Sequence, residues 1–300
     1  MRAIIAGGTG FIGQALIREL KEHGWEIVVL SRSPGKVAEV FGAGVIGMRW
    51  DNGDWPDMLG PDTVIVNLAG ENIASGRWTE SKKQRILDSR VEAGERLVNA
   101  VKLADTMPAA FIQSSAVGYY GPHGNNPIDE NTPSGDGFLA DVARQWEAST
   151  EGLEPMGVRR VITRTGMVLG QGGALQRMLM PFKMYVGGPP GDGFQGVSWI
   201  HIADEVGAIR YLMENESTSG VYNLTAPTPV RFRKFARILG ETLGRPGKLK
   251  TPPFALRLLF GDMADELLLS GQLVLPNRLL EAGYQFKFST LDEALADILS

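Results

Sequence analysis

Through the first half of the chain, short continuous apolar runs alternate with longer segments whose apolar residues recur at helical spacing. A-I-I-A (3–6), E-I-V-V-L (26–30), V-I-V-N-L-A (64–69), A-F-I-Q-S-S (110–115) and V-R-R-V-I-T-R (158–164) read as strands. Between them, F-I-G-Q-A-L-I-R-E-L-K-E-H-G sets Ile12, Leu16 and Leu20 on one helical face, with Gly24 as its C-cap. The proline-free, charge-mixed stretch from Thr79 to Ala104 predicts a long helix, and 137–151 predicts another. Continuous apolar strands separated by helices bury both faces of a parallel sheet, so the fold class is α/β: a Rossmann-type, doubly wound parallel sheet with right-handed crossovers.

After about residue 170 the texture changes. A Met-rich helix is expected at 175–185, then a glycine-proline loop at 187–193. W-I-H-I-A-D-E-V (199–206) reads as a strand end entering a helix, G-V-Y-N-L-T (220–225) as a strand and 231–244 as a helix. In the last segment Thr290 and Glu293 stand at capping-box spacing before a helix with Leu291, Leu295 and Ile298 on its apolar face. The division is therefore a nucleotide-binding domain over 1–170, joined by strands from about 199–225, and a small, mostly helical C-terminal substrate lobe over 171–198 and 226–300. The lobe folds over the carboxyl edge of the sheet rather than hanging on a tether.

Composition narrows the function classes. The 300 residues are 43% hydrophobic, ample for a large core, and the formal charge is −4. No basic excess is present to neutralise nucleic-acid phosphates. Without cysteine there is no disulfide, thiolate metal site or thiol catalysis. The amino end enters a strand directly and does not resemble a signal peptide. No run reaches the roughly 18 apolar residues of a membrane span; the nearest candidate, from Phe254 to Leu269, holds Arg257, Asp262, Asp265 and Glu266 and reads as one or two packed helices. The expectation is a soluble cytoplasmic protein, or an organelle-matrix one if a transit peptide has been lost. No His/Asp/Glu cluster has metal-ligand spacing, and no G-x-S-x-G elbow occurs.

The strongest motif is A-G-G-T-G-F-I-G, holding Gly7, Gly8, Thr9, Gly10, Phe11, Ile12 and Gly13 between a strand and a helix. Glycines let the backbone turn sharply and approach a pyrophosphate, and the helix N-terminus offers free N–H groups to it. The second strand ends Leu30-Ser31-Arg32, where NAD sites place a carboxylate. Arginine pairs with a 2′-phosphate that a carboxylate would repel, and Ser31 adds a hydroxyl, so the cofactor read here is NADP(H). N-L-A-G ends the next buried strand; the small residues after Leu68, Ala69 and Gly70, let the adenine-ribose half cross the sheet edge.

These motifs, with S-S-A-V-G-Y-Y-G (114–121), R-T-G-M-V-L-G (164–170), W-I-H-I-A-D (199–204) and the particular tail from Phe254 to Phe286, resemble the extended short-chain dehydrogenase/reductase superfamily. The tail resembles its "epimerase family protein" branch, which carries a C-terminal domain of unknown function. The resemblance implies NADP(H) contacts at Ser114, Val168 and Arg90 as well, with Arg85 beside Arg90 on the long helix, and it implies no established substrate; homodimers are common among relatives. In the wider superfamily a Ser, a Tyr and a Lys carry the chemistry, the last two four apart on one helix face. Here that helix opens G-F-L-A-D-V-A-R-Q-W-E, which puts Leu139 and Ala143, or Phe138 and Val142, in their places. Neither register donates a proton.

The remaining candidates for catalysis are Ser115, Tyr119 and Tyr120, with the strand serine of the superfamily falling on Ala116 or Ser115. Glu71 and Asn72, after N-L-A-G, and Arg164 and His201 are candidates for substrate contact. His201 faces a cleft or bonds to Asp204. The reading is an NADP(H)-dependent oxidoreductase acting on a small carbonyl or alcohol. The alternatives are a non-catalytic NADP(H) sensor or scaffold and a sugar-nucleotide epimerase or dehydratase, the latter disfavoured by the missing dyad.

Overall fold

The alternation of the first half builds β1 (Arg2–Ala6), α1 (Phe11–Glu22), β2 (Glu26–Leu30), α2 (Pro34–Phe41), β3 (Val45–Met48), β4 (Thr63–Asn67), α3 (Glu80–Leu103), β5 (Ala110–Ala116), α4 (Phe138–Ala148) and β6 (Arg159–Thr165). The second half adds β7 (Met167–Gly170), α5 (Gly173–Lys183), β8 (Gly196–Val197), β9 (Trp199–His201), α6 (Ile202–Glu214), β10 (Gly220–Leu224), β11 (Val230–Arg231), α7 (Phe232–Leu243), α8 (Pro253–Phe260), α9 (Asn277–Glu281) and α10 (Leu291–Leu299). The computed structural model describes residues 1–51, 54–124 and 126–300.

The main sheet has seven strands in the order β3-β2-β1-β4-β5-β6-β10, every neighbouring pair parallel. This is the doubly wound arrangement expected from the apolar runs. The two-residue period divides the buried side chains between two helical layers. Ala3, Ile5, Ile27, Val29, Val64 and Val66 face Leu16, Ile17 and Leu20 of α1 and Ile209 and Leu212 of α6. Ile4, Ala6, Val28, Ile65 and Phe111 face Leu97, Val98 and Val101 of α3. The order reverses beside β1, between β2 and β4, which is where parallel sheets open a crevice at their carboxyl ends.

β3 is not marked by an apolar run, because Gly47 interrupts it; a Cβ there would meet Val37 Cβ at 2.9 Å and the Pro34 carbonyl at 2.8 Å. The lobe has its own core, where Trp199, Phe232, Phe235 and Leu239 pack with Leu291, Leu295 and Ile298. Two short pairs, β8–β11 antiparallel and β7–β9 parallel, join it to the sheet. Two sequence expectations change here. Thr290 is the N-cap of α10, but its side chain accepts from no backbone amide; its hydroxyl instead donates to the Glu293 carboxylate at 2.8 Å. α8 is not a packed helix: Phe254, Leu258 and Leu259 are largely exposed and only Leu256 is buried. Among the described residues no helix is long and apolar enough to cross a membrane.

α6 carries an acid into the core. Glu205 is 1% exposed; Thr165 at the end of β6 donates to its Oε1 at 2.9 Å, while its Oε2 has no partner among the described residues. Burial pushes its pKa up to about 8, against the smaller opposing pull of the Thr165 hydroxyl. The folded state then holds a proton that the unfolded chain, near 4.5, has released. Stability falls as pH rises from about 4.5 to about 8, with a slope approaching about 1.4 kcal/mol per pH unit. Glu205→Gln keeps an acceptor for Thr165 and removes the titration. The variant is expected to gain about 2 kcal/mol over the wild type between pH 6 and pH 7.5 in urea unfolding; parallel pH profiles for the two proteins would show that Glu205 is not the group responsible.

Candidate cofactor and active site

β1 runs into Gly7, which has φ +80° and turns the chain against the end of β4: a Cβ on it would lie 2.6 Å from the Leu68 carbonyl oxygen. Gly13, in the first turn of α1, packs so closely on the same turn that its Cβ would lie 2.5 Å from the Gly7 oxygen and 2.7 Å from Gly8 Cα. Gly10 differs. It is exposed, and a Cβ on it would meet only the Gly7 oxygen, at 3.2 Å. Gly10 is also the N-cap of α1 and supplies no side-chain cap, so no capping side chain takes up the first N–H groups of the helix. Thr9 is exposed beside it, its carbonyl accepting from Gln14 Nε2, and Ile12 is half-buried. The Phe11 ring lies against Gly170, Gly172 and Gly173, each of which would strike it with a Cβ at 2.9–3.1 Å, and so ties the loop to β7 and its buried Val168.

At the end of β2, the Ser31 amide donates to the Met48 carbonyl and the Ser31 hydroxyl accepts from the Ser33 amide at 3.0 Å. Arg32 is exposed, and its guanidinium has no ion pair or hydrogen bond among the described residues. Arg90 reaches from α3 to the other side of N-L-A-G. Its Nη1 donates to the carbonyls of Glu71 (3.1 Å) and Ile86 (2.9 Å), and its Cζ stands 4.9 Å from the Trp146 ring centre. Its Cζ is 3.0 Å from where a Gly70 Cβ would be, so a side chain at position 70 would displace it. Burial pulls its pKa down to about 10, against the attraction of Glu71. The remaining donors of Arg90 have no acceptor among the described residues. A glycine cradle, an uncapped helix start and two guanidinium groups with donors to spare fit a dinucleotide carrying an extra phosphate.

The S-S-A-V-G-Y-Y-G segment is organised differently from its expected role. Strand register sets Ser115, Arg164 and Asn223 in one row across β5, β6 and β10, so their side chains share a face. Glu147 of α4 lies over that row. It accepts from Ser115 Oγ at 2.6 Å and takes a bidentate pair from Arg164, at 2.8 Å from Nε and 2.9 Å from Nη2. Arg164 Nη1 donates to the Tyr120 hydroxyl at 3.1 Å, and that hydroxyl donates to Asn223 Oδ1 at 2.7 Å. Arg164 and Glu147 are 4% and 7% exposed and Tyr120 is fully enclosed. Burial opposes the charge on Arg164, but Glu147 outweighs it and holds the guanidinium above the ordinary arginine pKa. Burial also pushes the Tyr120 phenol up.

Three expectations are corrected by this network. Ser115 and Tyr120 spend their hydroxyls on internal partners, and Arg164 is a core cation rather than a substrate contact. Tyr119 alone of the catalytic candidates is half-buried with a hydroxyl that has no hydrogen bond among the described residues; Arg164 Cζ stands 3.3 Å from its ring centre. Ser114, on the opposite sheet face from Ser115, is buried.

His201 is also corrected. It is buried, 4% exposed, and among the described residues it does not bond to Asp204. Its Nδ1 accepts from the Ala203 amide as the N-cap of α6, its ring rests 3.9 Å from Phe288, and Nε2 lies 3.2 Å from Asp297. Burial pushes its pKa below the usual histidine range. Asp204 instead accepts from the backbone amides of Lys287 (2.7 Å) and Phe288 (2.9 Å), anchoring the C-terminal segment to α6.

Glu71 pairs with buried Lys82 at 2.5 Å and with exposed Arg85 at 3.3 Å, and the Lys82 hydrogen bond holds its carboxyl below the usual range. Arg85 also donates to Ser81 at 2.8 Å, so it serves a surface pair. Asn72 Oδ1 accepts from the Ala74 amide.

At the two registers open to the missing dyad, Leu139 packs on Gly118, with its Cβ 3.2 Å from the position of an added Cβ there, and both Ala143 and Val142 are buried. The C-terminal segment closes this helix start. Glu266 accepts from the backbone amides of Phe138 (3.2 Å) and Leu139 (3.4 Å), and Gln272 Nε2 donates to the Val117 carbonyl. A cleft of about 220 Å3 remains beside it, lined by Trp78, Lys83, Phe138, Asp262, Asp265 and Glu266. The sequence reading missed Glu147, Glu266, Lys82 and Asn223. Glu147 alone carried a signal, standing four residues after Ala143 on the face that had to meet the sheet.

Residues 3–225 match the NAD dependent epimerase/dehydratase family, and residues 251–298 match a domain of unknown function, DUF1731. Epimerase family protein SDR39U1 of Homo sapiens is 37% identical, covering 100% of both chains. The chloroplastic SDR39U1 homolog of Arabidopsis thaliana is 39% identical, covering 100% of this chain and 87% of its own length. The crystal structure of human epimerase family protein SDR39U1 (isoform 2) with NADPH superposes with a TM-score of 0.88 at 36% identity over 99% of each chain. A nucleoside-diphosphate sugar epimerase from Corynebacterium glutamicum gives 0.78 at 29% identity, covering 100% of this chain and 58% of that one. On this evidence the chain belongs to the NAD dependent epimerase/dehydratase family.

Proposed function

We propose that this protein binds NADP(H) between the glycine cradle and Arg90, with Arg32 on the 2′-phosphate, and uses it in redox chemistry on a small carbonyl or alcohol. The observation that carries the reading is the pair of guanidinium groups with donors to spare, one on each side of an open glycine at an uncapped helix start. A protein similar to it over its whole length, the human one, was crystallised with NADPH. The bound cofactor supplies a hydride. Tyr119 is the group proposed to hand a proton to the carbonyl oxygen, since Ser115 and Tyr120 are committed elsewhere. Sugar-nucleotide epimerisation is the weaker reading, because neither Leu139 with Ala143 nor Phe138 with Val142 supplies a proton-transfer dyad.

Calorimetry on ligand-stripped protein is expected to give tighter uptake of NADPH than of NADH. Arg32→Ala should lose roughly tenfold in NADPH affinity and leave NADH unchanged; equal affinities in the wild type would remove the phosphate assignment. NADPH oxidation with a panel of carbonyl compounds should then proceed and drop about 100-fold in Tyr119→Phe. Binding without any oxidation would favour the sensor reading over the enzyme.

A further inference from the structure

On the lobe, away from the glycine loop, α7 and two loop segments line an open groove of about 470 Å3. Its walls are held by backbone hydrogen bonds. The Arg233 amide donates to Gly193 O (2.9 Å), Phe232 N to Gln195 O (3.0 Å), Gly191 N to Thr251 O (2.9 Å) and Arg245 N to Gly240 O (2.8 Å). The groove is thus formed before any ligand arrives, and its size suits a small molecule rather than a macromolecule.

Its lining is strongly cationic. Arg233, Lys234, Arg237, Lys248 and Lys250 face it, against the single carboxylate of Asp192. Asp192 Oδ1 already accepts from the Phe194 amide. Arg237 is paired with Glu241 one turn on, and the other four cations have no carboxylate partner among the described residues. This concentration stands out on a chain whose net charge is −4.

Placement sharpens the point. Arg233 and Lys234 lie in the first turn of α7, which has no acidic residue, and cations there oppose the helix dipole. Four like charges in one groove also repel each other. A fold that breaks two local electrostatic rules at one spot marks that spot for an anionic ligand. Arg233 is further fixed by stacking on the half-exposed Phe194 ring, Cζ 4.2 Å from its centre, which leaves the edge of its guanidinium fork for hydrogen bonding.

We propose that this groove is a second ligand site, distinct from the cofactor cradle, for a small molecule bearing two or more linked phosphates. No glycine-loop, N-L-A-G or S-S-A-V-G-Y-Y-G residue lines it. The inference does not rest on the redox reading.

Titration of the full-length protein, saturated with NADPH to occupy the cradle, with sodium tripolyphosphate tests it. The expected result is one site per chain, with orthophosphate bound about 100-fold more weakly. Lys248→Ala/Lys250→Ala should lose about tenfold or more, while NADPH affinity and melting temperature stay unchanged. Adenosine triphosphate serves as a second probe. Tighter binding than tripolyphosphate, lost in Phe194→Ala, would support the site as one for a nucleotide, and equal binding would support it as one for the bare phosphate chain. The proposal is overturned if tripolyphosphate gives no heat, if the double variant binds it as well as the wild type, or if orthophosphate binds equally well.

Discussion

Glu147→Ala is expected to lower the unfolding free energy by about 3–5 kcal/mol, because it strands a buried cation. Arg164 is held near the carboxyl end of β6 and is only 4% exposed, so it cannot swing to water; its Nε and Nη2 lose both carboxylate oxygens at once, and Ser115 loses its acceptor. Arg164→Ala is expected to cost a similar amount, for it leaves the Glu147 carboxylate buried with only the Ser115 hydroxyl. The pair as a whole is worth far less than either deletion suggests, since desolvating two ions offsets most of their attraction. Glu147→Met/Arg164→Leu removes both charges together and should recover most of the loss. Urea unfolding of the wild type, Glu147→Met, Arg164→Leu and the double Glu147→Met/Arg164→Leu variant closes the cycle. Strictly additive losses would show that the two side chains do not depend on each other, and the description of the core network given above would fail.

The network also explains what the sequence could and could not disclose. The central sheet was legible because parallel strands covered on both faces must be continuously apolar, and 26–30 and 64–69 have no competing explanation. The absence of the dyad was legible for the same local reason: a helix opening F-L-A-D-V-A-R-Q has no proton donor at either register. The partner of Ser115 was not legible. A glutamate near a helix end is ordinarily solvated, and only the packing of α4 over β5 and β6 turns Glu147 inward. Arg164 and Tyr120 looked like site residues by type, but the register with Asn223 puts Arg164 on a covered face, and the Tyr120 hydroxyl bonds to both. Glu266 lies 128 residues from the amide it caps, so no window of sequence contains the interaction. The short lobe strands escaped because two or three residues carry no period.

The cofactor cradle yields the last prediction, since its glycines are there for different reasons. At Gly13 an added Cβ would run into the backbone of Gly7 and Gly8 at 2.5–2.7 Å, with no flexible side chain to move aside. Gly13→Ala must push α1 away from the turn, so it is expected to lower stability by about 1–3 kcal/mol and to weaken NADPH binding together. At Gly10 the backbone is ordinary, with φ −74°, and an added Cβ meets only the Gly7 oxygen at 3.2 Å. Gly10→Ala should therefore fold as the wild type does, with a melting temperature within about 2 °C. Its methyl group nevertheless stands where a pyrophosphate must approach the first amides of α1, and NADPH affinity should fall by roughly 100-fold, about 2.7 kcal/mol. Melting curves and NADPH titrations on both variants separate the two roles. If Gly10→Ala binds NADPH normally, the diphosphate does not sit at the start of α1, and the glycines serve the packing of helix on strand alone.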